Sequence, residues 1–188
     1  MLLKELFNLC EAPIELDYTA PEKFLKISKD SIANELEDYI LLSSKNQISF
    51  FLKKDHSIAL AVDGDKVIAE IKFKKSSAKS KNLSVHATIT ILERRRESIA
   101  KSLYFALAEK SYRIFSDSTQ LTAGKALWKN LARDSAKYGL KVNLFHIFKN
   151  NYVEDANGVI SYDGSNVPDT DIWKPPSEGS PILLVLQK

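Results

Sequence analysis

Apolar and polar side chains alternate strictly from 83 to 91, near the middle of the chain. A period of two places successive side chains on opposite faces of an extended strand, one face buried and one open to solvent. The pattern predicts a half-buried strand beginning at Asn82. Its apolar face would carry Leu83, Val85, Ala87, Ile89 and Ile91, and its polar face Ser84, His86, Thr88 and Thr90.

The pattern then changes to a helical period. Apolar residues between Ser98 and Lys110 recur every three to four positions, which predicts a helix. A short strand over 112–117 follows, and a second helix over 119–138 ends at Gly139, a residue suited to a left-handed C-cap. A strand, a helix and another strand in this order predict a βαβ unit with two parallel strands.

Patterns on either side of this unit predict the remaining elements. Before it we expect amphipathic helices over 2–10 and 31–42, a strand over 48–53, and a hairpin of strands 57–62 and 67–73 around the turn 63–66. After it we expect a strand over 142–148, a hairpin at Asn157-Gly158, a long loop over 163–181 and a last strand over 182–186.

Together these elements predict an α/β domain. Its sheet would be mixed and mostly antiparallel, with the parallel βαβ unit at its centre and helices on both faces. A length of 188 residues favours one domain over 1–188. Within it, 1–47 would hold the N-terminal helices, 48–150 the core, and 151–188 the C-terminal hairpin, long loop and last strand.

Composition narrows the class of protein. A net charge of +3 is too small to indicate nucleic-acid binding by itself. The single cysteine, Cys10, excludes a disulfide within the chain and fits a reducing cytoplasm. No apolar run is long enough to span a membrane, and the first residues lack the features of a signal peptide. We therefore expect a cytoplasmic protein, and the sequence does not indicate its oligomeric state.

Three consecutive arginines stand at the turn between the central strand and the first helix of the unit. The turn reads Glu93-Arg94-Arg95-Arg96-Glu97. Basic side chains at the positive end of a helix dipole are unfavourable, and a bound anion such as a phosphate would reverse that. The alternative is an exposed turn whose arginines point into water or pair with acidic residues elsewhere.

The segment 95–100, Arg-Arg-Glu-Ser-Ile-Ala, resembles a degenerate form of the Q/R-x-x-G-x-G/A motif of the GCN5-related N-acetyltransferase (GNAT) superfamily. The hairpin at 61–71, the strand from Arg113 and the helical segment 124–131 also resemble the elements around that motif. The resemblance covers about 48–150. Within the superfamily, this sequence is most similar to GNAT-like proteins of bacteriophages and prophages. If the protein is phage-encoded, the host cytoplasm would be its location.

The resemblance implies a GNAT-like fold that binds acetyl-CoA or another acyl-CoA. In that family the motif amides hold the cofactor pyrophosphate, and the following strand parts from its neighbour to admit the pantetheine arm. Ser116 and Asp117 would line that opening, although capping of the next helix by Ser118 or Thr119 is a simpler use of this region. The implied cofactor-binding residues are Arg94, Arg95, Arg96, Ser98, Ile99, Ala100, Ser116 and Asp117.

Two positions depart from the family pattern. Ser98 stands where the family usually has glycine, whose missing side chain permits close approach to a ligand. Trp128 stands where many members have a tyrosine that protonates the departing thiolate, and an indole cannot act as an acid. Trp128 lies on an apolar helical face, which favours a place in the core. Tyr104 and Tyr138 are the alternative proton donors.

Acetyl transfer also requires a base, because a protonated amine has no lone pair with which to attack a thioester. The resemblance implies a base about nine residues before the motif, and that position is His86. Glu93 and Glu70 are weaker alternatives, and a structural histidine in the sheet is a further one. His56 and His146 have no evident partner, and no ligand spacing predicts a metal site.

These observations support two functions of different classes. The first is an acetyl-CoA-dependent N-acyltransferase acting on a protein or a small amine. The second is a catalytically inactive GNAT-like binding protein, such as a phage factor that engages a host protein. A third interpretation, nucleic-acid binding by the lysines of 72–81, is less favoured than a solvated loop. Trp173 in the long loop would cover a substrate, a partner or the sheet edge.

Overall fold

The computed structural model describes residues 36–74, 80–90, 94, 97–117, 122–173 and 181–188. The strands are β1 (Tyr39–Lys45), β2 (Ile48–Lys53), β3 (Ile58–Asp63), β4 (Lys66–Phe73), β5 (Asn82–Thr90), β6 (Arg113–Phe115), β7 (Lys141–His146), β8 (Asn151–Tyr152), β9 (Glu154–Asp155), β10 (Gly158–Val159) and β11 (Ile182–Gln187). The helices are α1 (Ile99–Glu109), α2 (Thr122–Ser135) and α3 (Asp169–Ile172), with 3-10 turns at Leu36–Asp38 and Ala136–Tyr138.

Nine of these strands form one mixed sheet in the order β1-β2-β3-β4-β5-β6-β11-β7-β8. Strands β5 and β6 are parallel, and the other pairs of this sheet are antiparallel. Helix α1 connects β5 to β6, so the predicted βαβ unit lies at the centre of the sheet. The α/β class and the mostly antiparallel sheet with a central parallel unit are therefore confirmed.

Helices α1 and α2 pack against the same face of the sheet, which we call the helix face. One row of cross-strand neighbours lies beneath them in a single core with Leu103 of α1 and Trp128 of α2. The row runs across four adjacent strands: Leu83, Ile114, Leu186 and Val142. Burial of this continuous apolar surface holds the βαβ unit to the C-terminal strands.

The other face of the sheet carries two smaller apolar clusters. Leu60, Val62 and Val67 form one on strands β3 and β4. The second comprises Phe115, Phe145, Leu183 and Val185. Helices were expected on both faces. The described helices α1 and α2 cover one of them, and the helix expected over 2–10 lies outside the described residues.

The N-terminal helix expected over 31–42 is wrong over its described part. Residues Leu36–Asp38 form a 3-10 turn, and β1 follows it directly. Asn46 and Gln47 both adopt left-handed backbone conformations, with φ of 50° and 68°, which closes a tight hairpin between β1 and β2. Pairing with β2 therefore overrides the helical spacing of the apolar residues in this segment.

The other local predictions are largely confirmed. The strand 48–53, the hairpin around 63–66 and the helices expected within 98–110 and 119–138 are present. Gly139 ends the second helical segment with φ 65°, as its predicted C-cap role requires. At the predicted Asn157-Gly158 hairpin, the residues between the paired strands β9 and β10 are 156 and 157, and Gly158 pairs with Asp155.

The expected long loop over 163–181 contains the short helix α3, so the prediction of an irregular loop is wrong there. Residues 174–180 lie outside the described residues. Trp173, at the end of α3, packs edge-on against Tyr162 with ring centroids 6.2 Å apart. The ammonium groups of Lys125 and Lys129 lie over its ring at 5.8 and 5.5 Å. Trp173 therefore attaches this segment to α2.

Candidate functional site

The parallel strands β5 and β6 stop pairing partway along β5. Their register runs from Asn82 opposite Arg113 to Ser84 opposite Phe115, and β6 ends there. Strand β5 continues to Thr90 while remaining paired with β4 on its other side. We call the part of the site beside residues 86–90 the cleft, because β6 has no ladder with this part of β5.

A β-bulge at His86 marks the point at which the strands separate. Phe73 of β4 pairs with Val85, and Lys72 pairs with Ala87, so His86 is the extra residue on β5. A bulge bends the strand that carries it and increases its local twist. His86 is exposed at this point, as expected for an extra residue outside the ladder.

The bulge also corrects the predicted faces of β5. Thr88 pairs with Ile71 and Val85 with Phe73, and these β4 residues both belong to the core beneath the helices. Thr88 therefore points to the helix face, whereas strict alternation placed it on the opposite face from Val85. One inserted residue shifts the phase of the period-two pattern for everything after it.

A pair of hydroxyl groups lies on the helix face of the cleft. Thr88 Oγ1 and the phenol oxygen of Tyr104, on α1, are 2.8 Å apart. Tyr104 is only 1% exposed, and its ring meets Trp128 edge-on with centroids 5.6 Å apart. Burial raises the pKa of Tyr104 far above the ordinary value, with the Thr88 hydrogen bond opposing and Asp117 adding to the rise. The phenol is therefore neutral.

The structure places Trp128 and the two alternative proton donors, Tyr104 and Tyr138, in different surroundings. Trp128 is 1% exposed and lies in the core, as its apolar helical face predicts. Tyr138 is exposed and packs its ring against Phe105 at 4.5 Å, away from the hydroxyl pair. Of the two alternative tyrosines, Tyr104 is the one whose hydroxyl contacts β5, at Thr88.

Ser116 and Asp117 extend β6 beyond its last paired residue. Ser116 is buried, and its hydroxyl accepts a hydrogen bond of 3.0 Å from the Leu184 N–H. Its side chain thus fixes β11 to β6. The Asp117 carboxylate accepts a hydrogen bond of 3.1 Å from the Lys74 ammonium, which follows β4. This ion pair crosses β5 at the level where the cleft begins.

Helix α1 follows the C-terminal end of β5 and begins with an unusual N-cap. Ser98 has φ 58° and ψ 25°, a left-handed conformation, and its hydroxyl makes no capping hydrogen bond. The first intrahelical bond runs from the Ser102 N–H to the Ser98 carbonyl. The amides of Ile99 and Ala100 precede that bond and have no carbonyl partner within the helix. They form a small group of donors at the positive helix end.

The left-handed conformation of Ser98 suits glycine better than serine. A residue with a Cβ atom pays a conformational cost there that glycine does not. Ile99 is buried in the core between α1 and the sheet, and Ala100 is partly exposed. The side chain of Ile99 therefore anchors the helix start in the core, and only its backbone is available to a ligand.

Arg94 holds the turn before α1 against the β3–β4 hairpin. Its Nε atom donates to both carboxylate oxygens of Glu97 at 2.8 Å, and its Nη1 atom pairs with Asp63. Because the guanidinium pairs with two carboxylates, it fixes the position of the turn. Glu93, Arg95 and Arg96, the other charged candidates of this turn, lie outside the described residues.

Glu70 is a buried carboxyl group near the cleft on the opposite face from the helices. It is 2% exposed and pairs across the ladders with Leu60 and Ile89. The Lys72 ammonium lies 3.1 Å from its Oε1 atom, although the geometry of that contact is not that of a hydrogen bond. Burial raises the pKa of Glu70, and Lys72 opposes the rise.

His56 has the partners that the sequence did not reveal. Its Nδ1 donates to the Ser80 carbonyl at 3.1 Å, which leaves Nε2 to accept from the Tyr112 hydroxyl at 3.2 Å. The imidazole is buried and connects the turn between β2 and β3 with the segments that precede β5 and β6. These contacts lie at the N-terminal end of β5, whereas the cleft lies beside its C-terminal part. His146 accepts a hydrogen bond from the Lys149 N–H. Both are structural contacts.

The described residues contain no group of three His, Cys, Asp or Glu side chains that could hold a metal ion. Within the same residues, no helix has the length and apolar composition needed to cross a membrane. The hydroxyl pair and the His86 bulge are the features that sequence reasoning missed. No local motif could have identified either, because both depend on which residues of β4 and α1 face β5.

The sequence matches no protein-family model and no characterised protein. Among solved structures, the chain is similar to the ribosomal-protein-S18-alanine N-acetyltransferase of Escherichia coli, with 8% identity, 77% of this chain and 70% of that chain covered, and a TM-score of 0.33. It is also similar to the diaminobutyrate acetyltransferase of Paenibacillus lautus, in complex with its substrate and coenzyme A, with 13% identity, 70% and 69% covered, and a TM-score of 0.37.

A third similar structure is an acetyltransferase of Bacillus subtilis in complex with CoA. It shares 13% identity, with 84% of this chain and 83% of that chain covered and a TM-score of 0.32. All three TM-scores lie below 0.5 and all three identities below 25%. The likeness to these proteins therefore does not by itself assign a fold family or an activity to this chain.

Proposed function

We propose that this protein is a GNAT-like, acyl-CoA-dependent N-acyltransferase. The observation that carries the proposal is the cleft itself: the parallel strands β5 and β6 part after three residue pairs, at a bulge, and α1 begins at the open end. An elongated ligand with an anionic end fits this arrangement, because the cleft accepts its extended part and the helix N-terminus its charge. The sequence resemblance of 95–100 to the GNAT motif supports the same ligand.

The residues of the site suit an acyl-CoA. The amides of Ile99 and Ala100 would donate to its pyrophosphate, with Arg95 and Arg96 supplying positive charge, while Arg94 fixes the turn through Asp63 and Glu97. The cofactor would supply the acyl group as a thioester. Ser116 would form a wall of the cleft through its bond to β11, and Asp117 its rim through Lys74.

His86 is the proposed base. Its exposure at the bulge leaves the imidazole open to an amine that approaches the cleft from solvent. A neutral imidazole can accept the proton that an attacking ammonium must lose. Glu70 is the alternative described base, and Glu93 a further one outside the described residues. The acceptor would be an amine of a protein or of a small molecule, in the cytoplasm.

A second candidate function is supported by Trp128. The position at which the resembled family carries an acidic hydroxyl is occupied by a fully buried indole that packs against Tyr104. Together with Ser98, this favours a GNAT-like protein without turnover, for which we propose binding of another protein. A phage factor directed at a host protein is the form of this candidate that the sequence resemblance supports.

Calorimetric titration of acetyl-CoA tests the first proposal. We expect micromolar binding to the wild-type protein and at least a tenfold loss in an Arg95→Ala, Arg96→Ala variant. Arg113→Ala is the matched control, because Arg113 is an exposed arginine at the opposite end of β6. Absence of both heat and thermal shift at millimolar acetyl-CoA would exclude the enzyme and leave the binding protein.

If acetyl-CoA binds, turnover separates the two candidates. Screening of amine acceptors with wild-type protein and His86→Ala would then show acyl transfer that depends on the imidazole. Binding without transfer to any amine or protein acceptor would favour the inactive candidate.

A further inference from the structure

Thr88 and Tyr104 form a pair of hydroxyl groups on the helix face, beside an apolar core. Thr88 lies on the part of β5 that pairs with β4 alone, and it is half-buried. Tyr104 is held from two sides, by the 2.8 Å contact to Thr88 and by the edge of Trp128. Two polar groups are thus maintained at the wall of a cleft between otherwise apolar residues.

The arrangement determines which hydroxyl can serve a ligand. A hydroxyl donates one hydrogen bond and accepts two. The phenol is 1% exposed, so the proton of Tyr104 is best used within the pair. When Tyr104 donates to Thr88, the Thr88 hydroxyl keeps its own proton for a third group. Thr88 is the more exposed member of the pair, so a ligand beside this part of β5 can supply that group.

We propose that Thr88 donates a hydrogen bond to the sulfur-bearing end of the cofactor, and that Tyr104 is a positioning residue that orients the Thr88 hydroxyl. This inference rests on the function proposed above. In the transfer, the amine nitrogen bonds to the thioester carbon, the carbon–sulfur bond breaks, and its electron pair passes to sulfur. Thr88 stabilises the developing charge there and keeps its proton, while the base takes the proton of the amine.

The inference differs from the use of a tyrosine as the acid. The buried phenol of Tyr104 is a poor proton donor, and the raised pKa supports a neutral, fixed role for it. Loss of the Tyr104 hydroxyl should therefore act only through Thr88. This dependence separates a positioning residue from one that contacts the ligand itself.

Two ligands that differ in the pantetheine arm test the proposal by calorimetry. Acetyl-CoA carries the arm, and adenosine 3′,5′-bisphosphate lacks it. Thr88→Val removes the hydroxyl at nearly constant volume, and Thr88→Ser retains it. We expect Thr88→Val to weaken acetyl-CoA binding about three- to tenfold, the factor for one neutral hydrogen bond, and to leave bisphosphate binding unchanged. Thr88→Ser should bind both ligands as the wild type does.

A double-mutant cycle with Tyr104→Phe tests the positioning role. Tyr104→Phe should weaken acetyl-CoA binding alone and add no further loss in the Thr88→Val background. Trp128 emission in a Trp173→Phe background supplies a second readout, because the Trp128 ring contacts Tyr104. Acetyl-CoA should change that emission and the bisphosphate should not.

The outcomes distinguish this inference from the proposed function. Equal acetyl-CoA affinity of Thr88→Val and wild type would overturn the inference while the cofactor site stands. An equal loss for both ligands would also overturn it, since the change would then act through the fold. If neither ligand binds the wild type, the proposed function fails and the inference fails with it.

Discussion

The two halves of β5 pair with different neighbouring strands, the first with β6 and the second with β4. In the N-terminal half of β5, which we call the lower half, 82–84 pair with β6, and Leu83 and Ser84 are buried. The upper half is the C-terminal half. In the upper half, 87–90 pair with β4 and with no other strand that the structure describes, and all four residues are partly exposed. A single strand thus supplies part of the core at one end and the wall of a cleft at the other.

The residue between the halves accounts for the difference. His86 adds one position to β5 without a partner on β4, which bends the strand and shifts the phase of its side chains. The lower half is fixed further by His56, which connects Ser80 and Tyr112 beside the start of both parallel strands. Opening is therefore confined to the end at which α1 begins.

The largest expected difference between the halves is in core stability. Leu83→Ala removes a fully buried side chain beneath α1, and we expect a loss of about 2–5 kcal/mol in the free energy of unfolding. Ile89→Ala, in the upper half, should lose about 1 kcal/mol because Ile89 is partly exposed. Urea denaturation of both variants measures this, and equal losses would contradict the distinction between the halves.

Deletion of His86 should remove the distinction while preserving the fold. The pairs Val85–Phe73 and Ala87–Lys72 would become consecutive in a regular ladder. We expect a folded protein in which acetyl-CoA binding is at least about tenfold weaker, which is 1.4 kcal/mol, because β5 no longer bends away from β6. His86→Ala keeps the bulge and is the control for binding. Undiminished binding after deletion would show that the bulge does not create the cleft.

Glu70→Gln tests the charge beside the upper half. Because burial raises the folded-state pKa of Glu70 above its ordinary value of 4.5, ionisation is penalised in the folded state. The wild type should lose stability relative to the variant as the pH rises above about 4.5. At pH 7 we expect the variant to be more stable by roughly 1 kcal/mol, the scale of one buried polar group. Denaturation at pH 4 and pH 7 measures the difference, and a larger advantage at pH 4 would contradict it.

Ser98→Gly has the smallest expected effect and concerns the helix start at the open end. Glycine avoids the conformational cost of φ 58°, partly offset by its greater freedom in the unfolded chain, so we expect a gain of about 0.5–1 kcal/mol. Ser98→Ala keeps the Cβ atom and should show no gain. Thermal unfolding compares them, and greater stability of the alanine variant would indicate that this backbone conformation is not under strain.

Local sequence patterns predicted most of the central unit. The spacing of apolar residues in 98–110 and 119–138 reflects contacts along each helix, and Gly139 ends the second segment as expected. Such signals are carried within a few residues. They therefore survive without knowledge of the rest of the chain.

The features that escaped prediction depend on partners distant in sequence. Strand β1 has helical spacing, but β2 supplies its hydrogen bonds. Likewise, nothing around Thr88 indicates that Tyr104 would bond to it, since the alternation before the bulge points Thr88 the other way. The fold class was therefore predictable from sequence, whereas the geometry of the cleft was not.

A second bulge, on β1, interrupts the strand at one end of the described sheet. Leu41 pairs with Phe51 and Ser43 with Phe50, which leaves Leu42 as the extra residue. Among the strands that the structure describes, β1 stands at one end of the sheet order, and the large apolar side chains of Ile40 and Leu41 are exposed along it. A straight edge of this kind would be a template for strands of other molecules, and the bulge makes it irregular.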